Sequence, residues 1–276
     1  MDNLNLRDIK GYKVQLVADN IYAIDEFGVD MVYLVIGRDC AMLVDTGAGL
    51  GPLREVVEKL TDKPVFVVNT HGHMDHVMGN YEFEEVYLNE KDVEMMQPDQ
   101  FTEQDWRNFC EKTMREPYYT GGDLTGAVYR QQKRPRNLEE GTCFDLGGRR
   151  FEAIGISGHT PGGMVFLDSE NRILISGDSV VSTPILIFDD RSTSIRAYRD
   201  DLKKLAARER EFDLILPGHF LRPIGKKYLF DLIDCAEDIL EGRAKPVSVD
   251  MSHMTCERTL SYRKGLSTII YNEKHI

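Results

Sequence analysis

The sequence predicts an α/β fold made of two topologically similar halves, and three observations carry that prediction. Short β-branched or aromatic runs alternate with segments of helical period. A strand, Asp, helix, strand, His order occurs twice, from Asp45 to His71 and again from Asp178 to His219. The residue types that bind metals and move protons fall directly after strand-like runs, where α/β sheets present their ligand-binding loops.

In chain order, residues 13–17, 21–24, 31–36 and 41–44 read as strands separated by Gly, Asp and Asn. Residues 51–60 read as a helix, because Leu53, Val56, Val57 and Leu60 share one stripe, and Pro64 closes it. A strand at 65–68 then runs into Thr-His-Gly-His-Met-Asp-His at 70–76. In the second half a strand at 172–175 leads to Gly-Asp at 177 and 178. A helix at 194–207, a strand at 214–216 and His219 follow. A last helix at 226–242 puts Leu229, Leu232, Ile233, Ala236, Ile239 and Leu240 on one stripe and is expected to cap the core.

Residues 94–140 interrupt this order with a helix carrying Trp106, Phe109 and Met114, followed by Tyr118, Tyr119, two glycines and the basic residues Arg130, Lys133, Arg134 and Arg136. A connection of that length is expected to be a lid on a single domain spanning 1–276. Against that stand two ordinary readings: aromatic residues at helical spacing usually pack a core, and a charge run is usually a solvated face. The apolar stretch 184–188 and Met74 fit either a pocket wall or a core.

A net charge of −12 disfavours nucleic acid as a partner. The longest apolar runs, such as 32–36, are too short to span a membrane, and the opening MDNLNLRDIK lacks the pattern of a secretory signal. Five dispersed cysteines without a Cys-x-x-Cys pair are expected to be reduced and mostly buried. Together these features predict a cytoplasmic protein acting on a small molecule, with no membrane partner and with a homodimer left open.

Only seven histidines occur, and five of them, His71, His73, His76, His159 and His219, follow strand-like runs directly. At that frequency a His-x-His-x-x-His string arises by chance in roughly one chain of this length in two hundred. Imidazoles crowded beside the carboxylate of Asp75 are costly to bury without a shared partner. A divalent cation is such a partner; a hydrogen-bonded polar turn is the ordinary alternative.

The string His-x-His-x-Asp-His at 71–76, with Gly-His-Thr-Pro-Gly at 158–162, Ser-Gly-Asp-Ser at 176–179 and Pro-Gly-His at 217–219, resembles the metallo-β-lactamase superfamily of hydrolases over nearly the whole chain. The resemblance implies an αββα sandwich with a helical insertion. It also implies two metal ions, the first on His71, His73 and His159, the second on Asp75, His76 and His219, with Asp178 bridging both. Asp45 of Val-Asp-Thr-Gly would accept a hydrogen bond from a ligand imidazole or its loop, although an Asp before Thr-Gly also shapes turns on its own account.

Imidazole and carboxylate donors without thiolate suit two zinc ions, and iron or manganese also fit. Two cations about 3.5–4 Å apart share a water and lower its pKa towards about 7. The expected reaction is hydrolysis of a small ester, lactone or thioester by a metal-bridged hydroxide, with Asp75 and Asp178 as the catalytic carboxylates. Within the superfamily the chain is similar to the glyoxalase II and lactonase branch, because the antibiotic-hydrolysing two-zinc enzymes place a cysteine where Asp178 stands. The Gly- and Cys-rich stretch of glyoxalase II is replaced by Val-Val-Ser-Thr-Pro-Ile-Leu-Ile-Phe at 180–188, which weighs against glutathione thioesters. The alternatives are a phosphodiesterase, an oxidoreductase resembling the one-iron persulfide dioxygenases, and a non-catalytic metal-binding protein of the same fold.

Overall fold

Five strands joined by short turns open the chain: β1 (Arg7–Ile9), β2 (Tyr12–Ala18), β3 (Ile21–Glu26), β4 (Asp30–Ile36) and β5 (Ala41–Val44), each antiparallel to the one before. β4 and β5 are β-branched or aliphatic almost throughout and are buried along nearly their whole length, as interior strands require. The computed structural model describes residues 6–96, 102–125, 127–220, 223–252 and 254–276. Its contacts divide into two compact units, residues 1–138 with 143–150, and residues 139–142 with 151–276. Residues 97–101 and 126 of the expected lid, and His253, lie outside the described residues.

In the first unit the pairing changes from antiparallel to parallel after β5. The helix α1 (Leu53–Glu58) carries the chain to β6 (Val65–Val68), which lies parallel to β5. A single helical turn, α2 (Met74–Val77), follows. Then β7 (Val86–Leu88), α3 (Glu103–Thr113) and β8 (Arg136–Asn137) complete an eight-stranded sheet in chain order, with β9 (Cys143–Asp145) beyond it. α1 is shorter than the expected 51–60 because Pro52 occupies its N-cap position. Leu53, Val56 and Val57 bury its stripe.

α3 begins at a capping box in which Thr102 and Asp105 satisfy each other's backbone N–H groups. It packs Trp106 and Cys110 into the same core as Tyr12, Ile24, Leu34, Leu43 and Val67. The Trp106 indole Nε1 donates to the Ala48 carbonyl at 2.9 Å. That part of the insertion therefore belongs to the core.

The second unit holds β10 (Arg150–Gly155), β11 (Met164–Asp168), β12 (Ile173–Gly177), β13 (Ile185–Ile187), α4 (Ile195–Ala206), β14 (Leu214–Pro217), α5 (Lys227–Leu240), β15 (Val247–Val249), β16 (Thr259–Lys264) and β17 (Ser267–Tyr271). One sheet runs β14-β12-β11-β10 and another β13-β17-β16-β15. β12 and β14 are parallel neighbours joined by α4, the same strand, helix, strand arrangement as β5, α1 and β6. Tyr198, Leu202 and Leu205 of α4 and Leu232, Ala236 and Ile239 of α5 share one core with Ile185 and Ile187. The apolar stretch 184–188 is thus largely core.

All five cysteines are free, but only Cys110 and Cys235 are buried, whereas Cys143 and Cys256 are exposed. The expectation that most are buried is not met, because Cys143 alternates outward on β9 and Cys256 lies in a bend without regular structure. Among the described residues no helix is long and apolar enough to cross a membrane.

Trp106→Ala should cost about 3–5 kcal/mol of unfolding free energy in urea, the usual range for truncating a buried Trp. A loss below about 1 kcal/mol would return α3 to the role of a removable lid.

Candidate metal centre

In the first unit β5 and β6 stop side by side, with Val44 opposite Val68. The residues that follow these strands meet on the carboxylate of Asp45. Asp45 is buried and takes a left-handed φ of 63°, a conformation that Asp tolerates better than most residues. In that pose its Oδ1 accepts from Thr70 N at 2.7 Å. Its Oδ2 accepts from Thr70 Oγ1 at 2.7 Å and lies 2.9 Å from His76 Nδ1.

Asp30 Oδ1 stands 3.6 Å from the same imidazole nitrogen. Two carboxylates beside Nδ1 favour the tautomer that carries its proton there, which leaves the Nε2 lone pair of His76 available to a cation. Asp75, on the exposed side of α2, brings Oδ2 to 3.8 Å from that Nε2.

His71 is oriented in the same way. Thr70 Oγ1 donates to Asp45, so it accepts from His71 Nδ1 at 3.0 Å, and His71 Nε2 then points to His73 Nδ1 at 3.1 Å. Two nitrogens bound to one zinc at about 2.0–2.1 Å with tetrahedral geometry stand roughly 3.3 Å apart, so this pair fits one cation. The ligand atoms of His71 and His76 lie within 4.8 Å of each other.

The loop backbone is held by partners distant in sequence. Asn69 Nδ2 and Thr46 N both donate to the His76 carbonyl, at 3.0 and 2.9 Å, and Gly72 N donates to the buried Asp92 at 3.1 Å. Sequence reading missed Asp30, Thr70, Asn69 and Asp92 as supports of the site.

In the second unit Asp178 and His219 follow the parallel neighbours β12 and β14, whose ends pair Gly177 with Pro217. Asp178 Oδ2 lies 3.2 Å from His219 Nε2 and 3.6 Å from His159 Nε2. One carboxylate oxygen is therefore flanked by two imidazoles. His159 Nδ1 donates to the Leu186 carbonyl at 2.7 Å, which turns its Nε2 towards Asp178. The preceding Gly158 has φ 138° and leaves no room for a side chain, since a Cβ would come within 2.6 Å of Tyr198. The structure thus ties His76 directly and His71 through Thr70 to Asp45, with His73 beside His71 and Asp75 beside His76, in one unit, and sets His159 and His219 beside Asp178 in the other.

Of the other residues singled out in the sequence, Met74 is half-buried against the first-unit core. Tyr118 is exposed. Partial burial, then the carboxylates of Glu116 and Asp75, push its phenol up, which sets it within electrostatic reach of Asp75. Arg134 and Arg136 pair with Glu90 and Glu85 on the surface, so this part of the basic stretch is an ion-paired solvated face.

Acyl-coenzyme A thioesterase MBLAC2 of Homo sapiens is 27% identical over 223 residues, covering 73% of this chain and 76% of that protein. A metallo-beta-lactamase from Pontibacter korlensis superposes with a TM-score of 0.60 at 16% identity, covering 82% of this chain and 99% of the other. The sec-alkylsulfatase Pisa1 from Pseudomonas sp. gives a TM-score of 0.66 at 13% identity over 83% of this chain, which spans 42% of that larger one. The two structural likenesses bear out the expected α/β fold class of the metallo-β-lactamase type, and the thioesterase relative supports a hydrolase. The family model described as the metallo-beta-lactamase superfamily matches residues 26–219, from the end of β3 through the last of the candidate donors, and the chain belongs to that superfamily.

Proposed function

We propose that this chain is a metal-dependent thioester hydrolase. In this reading His71, His73 and His159 hold one divalent cation, Asp75, His76 and His219 hold a second, and Asp178 is shared. The observation that carries it is the single Asp178 oxygen flanked by the nitrogens of His159 and His219, the arrangement expected of a carboxylate that serves two cations. The donor set, imidazole and carboxylate without thiolate, fits zinc and also iron or manganese. Bound there, such cations activate a water at neutral pH and polarise the scissile carbonyl.

The choice of a thioester is supported by the thioesterase relative. A thiol leaving group has a pKa of about 8.5, so it departs as a thiolate with little need of a proton donor. Asp45, Thr70 and the Leu186 carbonyl fix which imidazole nitrogens face the cations. With Trp106 in the core, the proposed lid narrows to the segment around Tyr118. A cytoplasmic location and a small-molecule substrate complete the reading.

Stripping the protein with a chelator should abolish hydrolysis of acyl-coenzyme A substrates, and zinc, iron or manganese should restore it. Metal-loaded protein that turns over lactones or phosphodiesters but no thioester would replace the proposed substrate class. Asp178→Ala should lower metal content towards zero in elemental analysis, whereas His159→Ala should retain about half; equal losses would speak against a shared carboxylate. Asp45→Asn should weaken zinc binding by roughly 10–100-fold in chelator competition, the scale for removing a carboxylate behind a ligand imidazole. Unchanged affinity would take Asp45 out of the centre's support.

A further inference from the structure

Glu26 ends β3 with its side chain fully buried, and neither the metal ligands nor their direct partners include it. Its Oε2 accepts from Ala48 N at 2.5 Å and its Oε1 from Leu50 N at 2.8 Å, with Tyr12 OH donating to Oε1 at 3.3 Å. Gly47, at φ 71°, passes so close that a Cβ there would lie 2.3 Å from Glu26 Oε2. On the far side of the turn Trp106 holds the Ala48 carbonyl. The turn at 47–50 is a concave run of backbone N–H groups of the kind that takes an anion, filled here by the chain's own carboxylate.

The same turn holds α2. Met78 N donates to the Gly47 carbonyl at 3.0 Å, Thr46 N donates to the His76 carbonyl at 2.9 Å, and Asp45 takes the His76 imidazole. α2 is one turn long. A helix that short has almost no stability of its own, so the pose of Asp75 and His76 is set by what α2 is tied to.

We propose that Glu26 is a positioning residue for the Asp75 and His76 pair: it anchors the 46–50 loop, and the loop holds α2 in the pose that presents both side chains. That these side chains take a cation rests on the function proposed above; the anchoring does not. Burial pushes the Glu26 carboxyl up to about 8, against the pull of its two backbone hydrogen bonds, with Glu82 adding to the push. Above that pH the carboxylate offers both oxygens to the loop.

The test is E26Q in the full-length protein at about pH 9, above that pKa. The amide of Gln at this position sets an NH2 group against a backbone N–H. Hydrogen exchange at Ala48 and Leu50 should rise at least about tenfold, the scale for losing a hydrogen bond to a charged group, and the rise should reach Met78. Zinc titrated into chelator-stripped protein should bind at least about tenfold more weakly at one step as well. Glu82 accepts from Leu53 N and Arg54 N at the start of α1, so E82Q is the control. It should loosen α1 without reaching Met78 or the zinc steps.

The proposal fails if E26Q leaves Met78 exchange and zinc binding as in the wild type, or if E82Q moves both equally. Should E26Q not fold, E26D, which draws the carboxylate back by one methylene, is read on the same two measurements. Exchange is also followed in metal-free protein. A chain that takes none of zinc, iron and manganese then sinks the proposed function while exchange still decides the anchoring.

Discussion

The candidate centre in the first unit depends on one buried carboxylate. Asp45 joins the end of β5 to the end of β6 through two bonds from Thr70, and joins both to α2 through His76. Each bond is charge-assisted and made out of water, where leaving one partner unmatched costs about 1–3 kcal/mol or more. The left-handed backbone at Asp45 is what turns the carboxylate back between the strands. Such a pose persists only where surrounding contacts over-determine it, and here Thr46, Thr70, His76 and the Val68 carbonyl all do so.

The second strand, helix, strand unit uses the same topology for a different purpose. β12, α4 and β14 bring Asp178 and His219 to adjacent strand ends, as β5, α1 and β6 bring Asp45 and Thr70. Asp45 is sealed from solvent and occupied with N–H and O–H donors, so its role is to orient. Asp178 keeps part of its side chain open and meets the Nε2 atoms of His159 and His219, whereas Asp45 takes the Nδ1 of His76. Parallel neighbours end at one level, and a residue just past each strand therefore meets its counterpart without further design. Local burial and the identity of the facing donors set the two acids apart.

Much of this was legible because it is local. The His-x-His-x-Asp-His spacing, the apolar stripes of α1, α4 and α5, and the repeated Asp and His after strands are patterns within short windows of sequence. What could not be read depends on partners far away. Trp106 reads either as core or as part of a lid until its indole meets Ala48, 58 positions earlier. Glu26, Asp30 and Asp92 are three among 46 acidic residues, and nothing in their neighbours marks them as buried. The run at 184–188 was apolar for a core reason, yet its half-buried Leu186 still reaches the site through its carbonyl, a group that side-chain pattern cannot reveal.

The buried acids also explain why the imidazoles face one way. Burying a carboxylate is costly unless N–H or O–H groups meet it, and in the first unit those groups come from the loop that carries the histidines. Asp92 takes Gly72 N, Asp45 takes Thr70 and His76, and Asp30 lies behind the same ring. Satisfying the acids therefore fixes the protons of His71 and His76 on their Nδ1 atoms, through Thr70 in the first case and directly in the second. Their Nε2 lone pairs are left facing the other way. His73 presents Nδ1 rather than Nε2 to the His71 Nε2, 3.1 Å away. The direction of these donors thus follows from how the acids are satisfied.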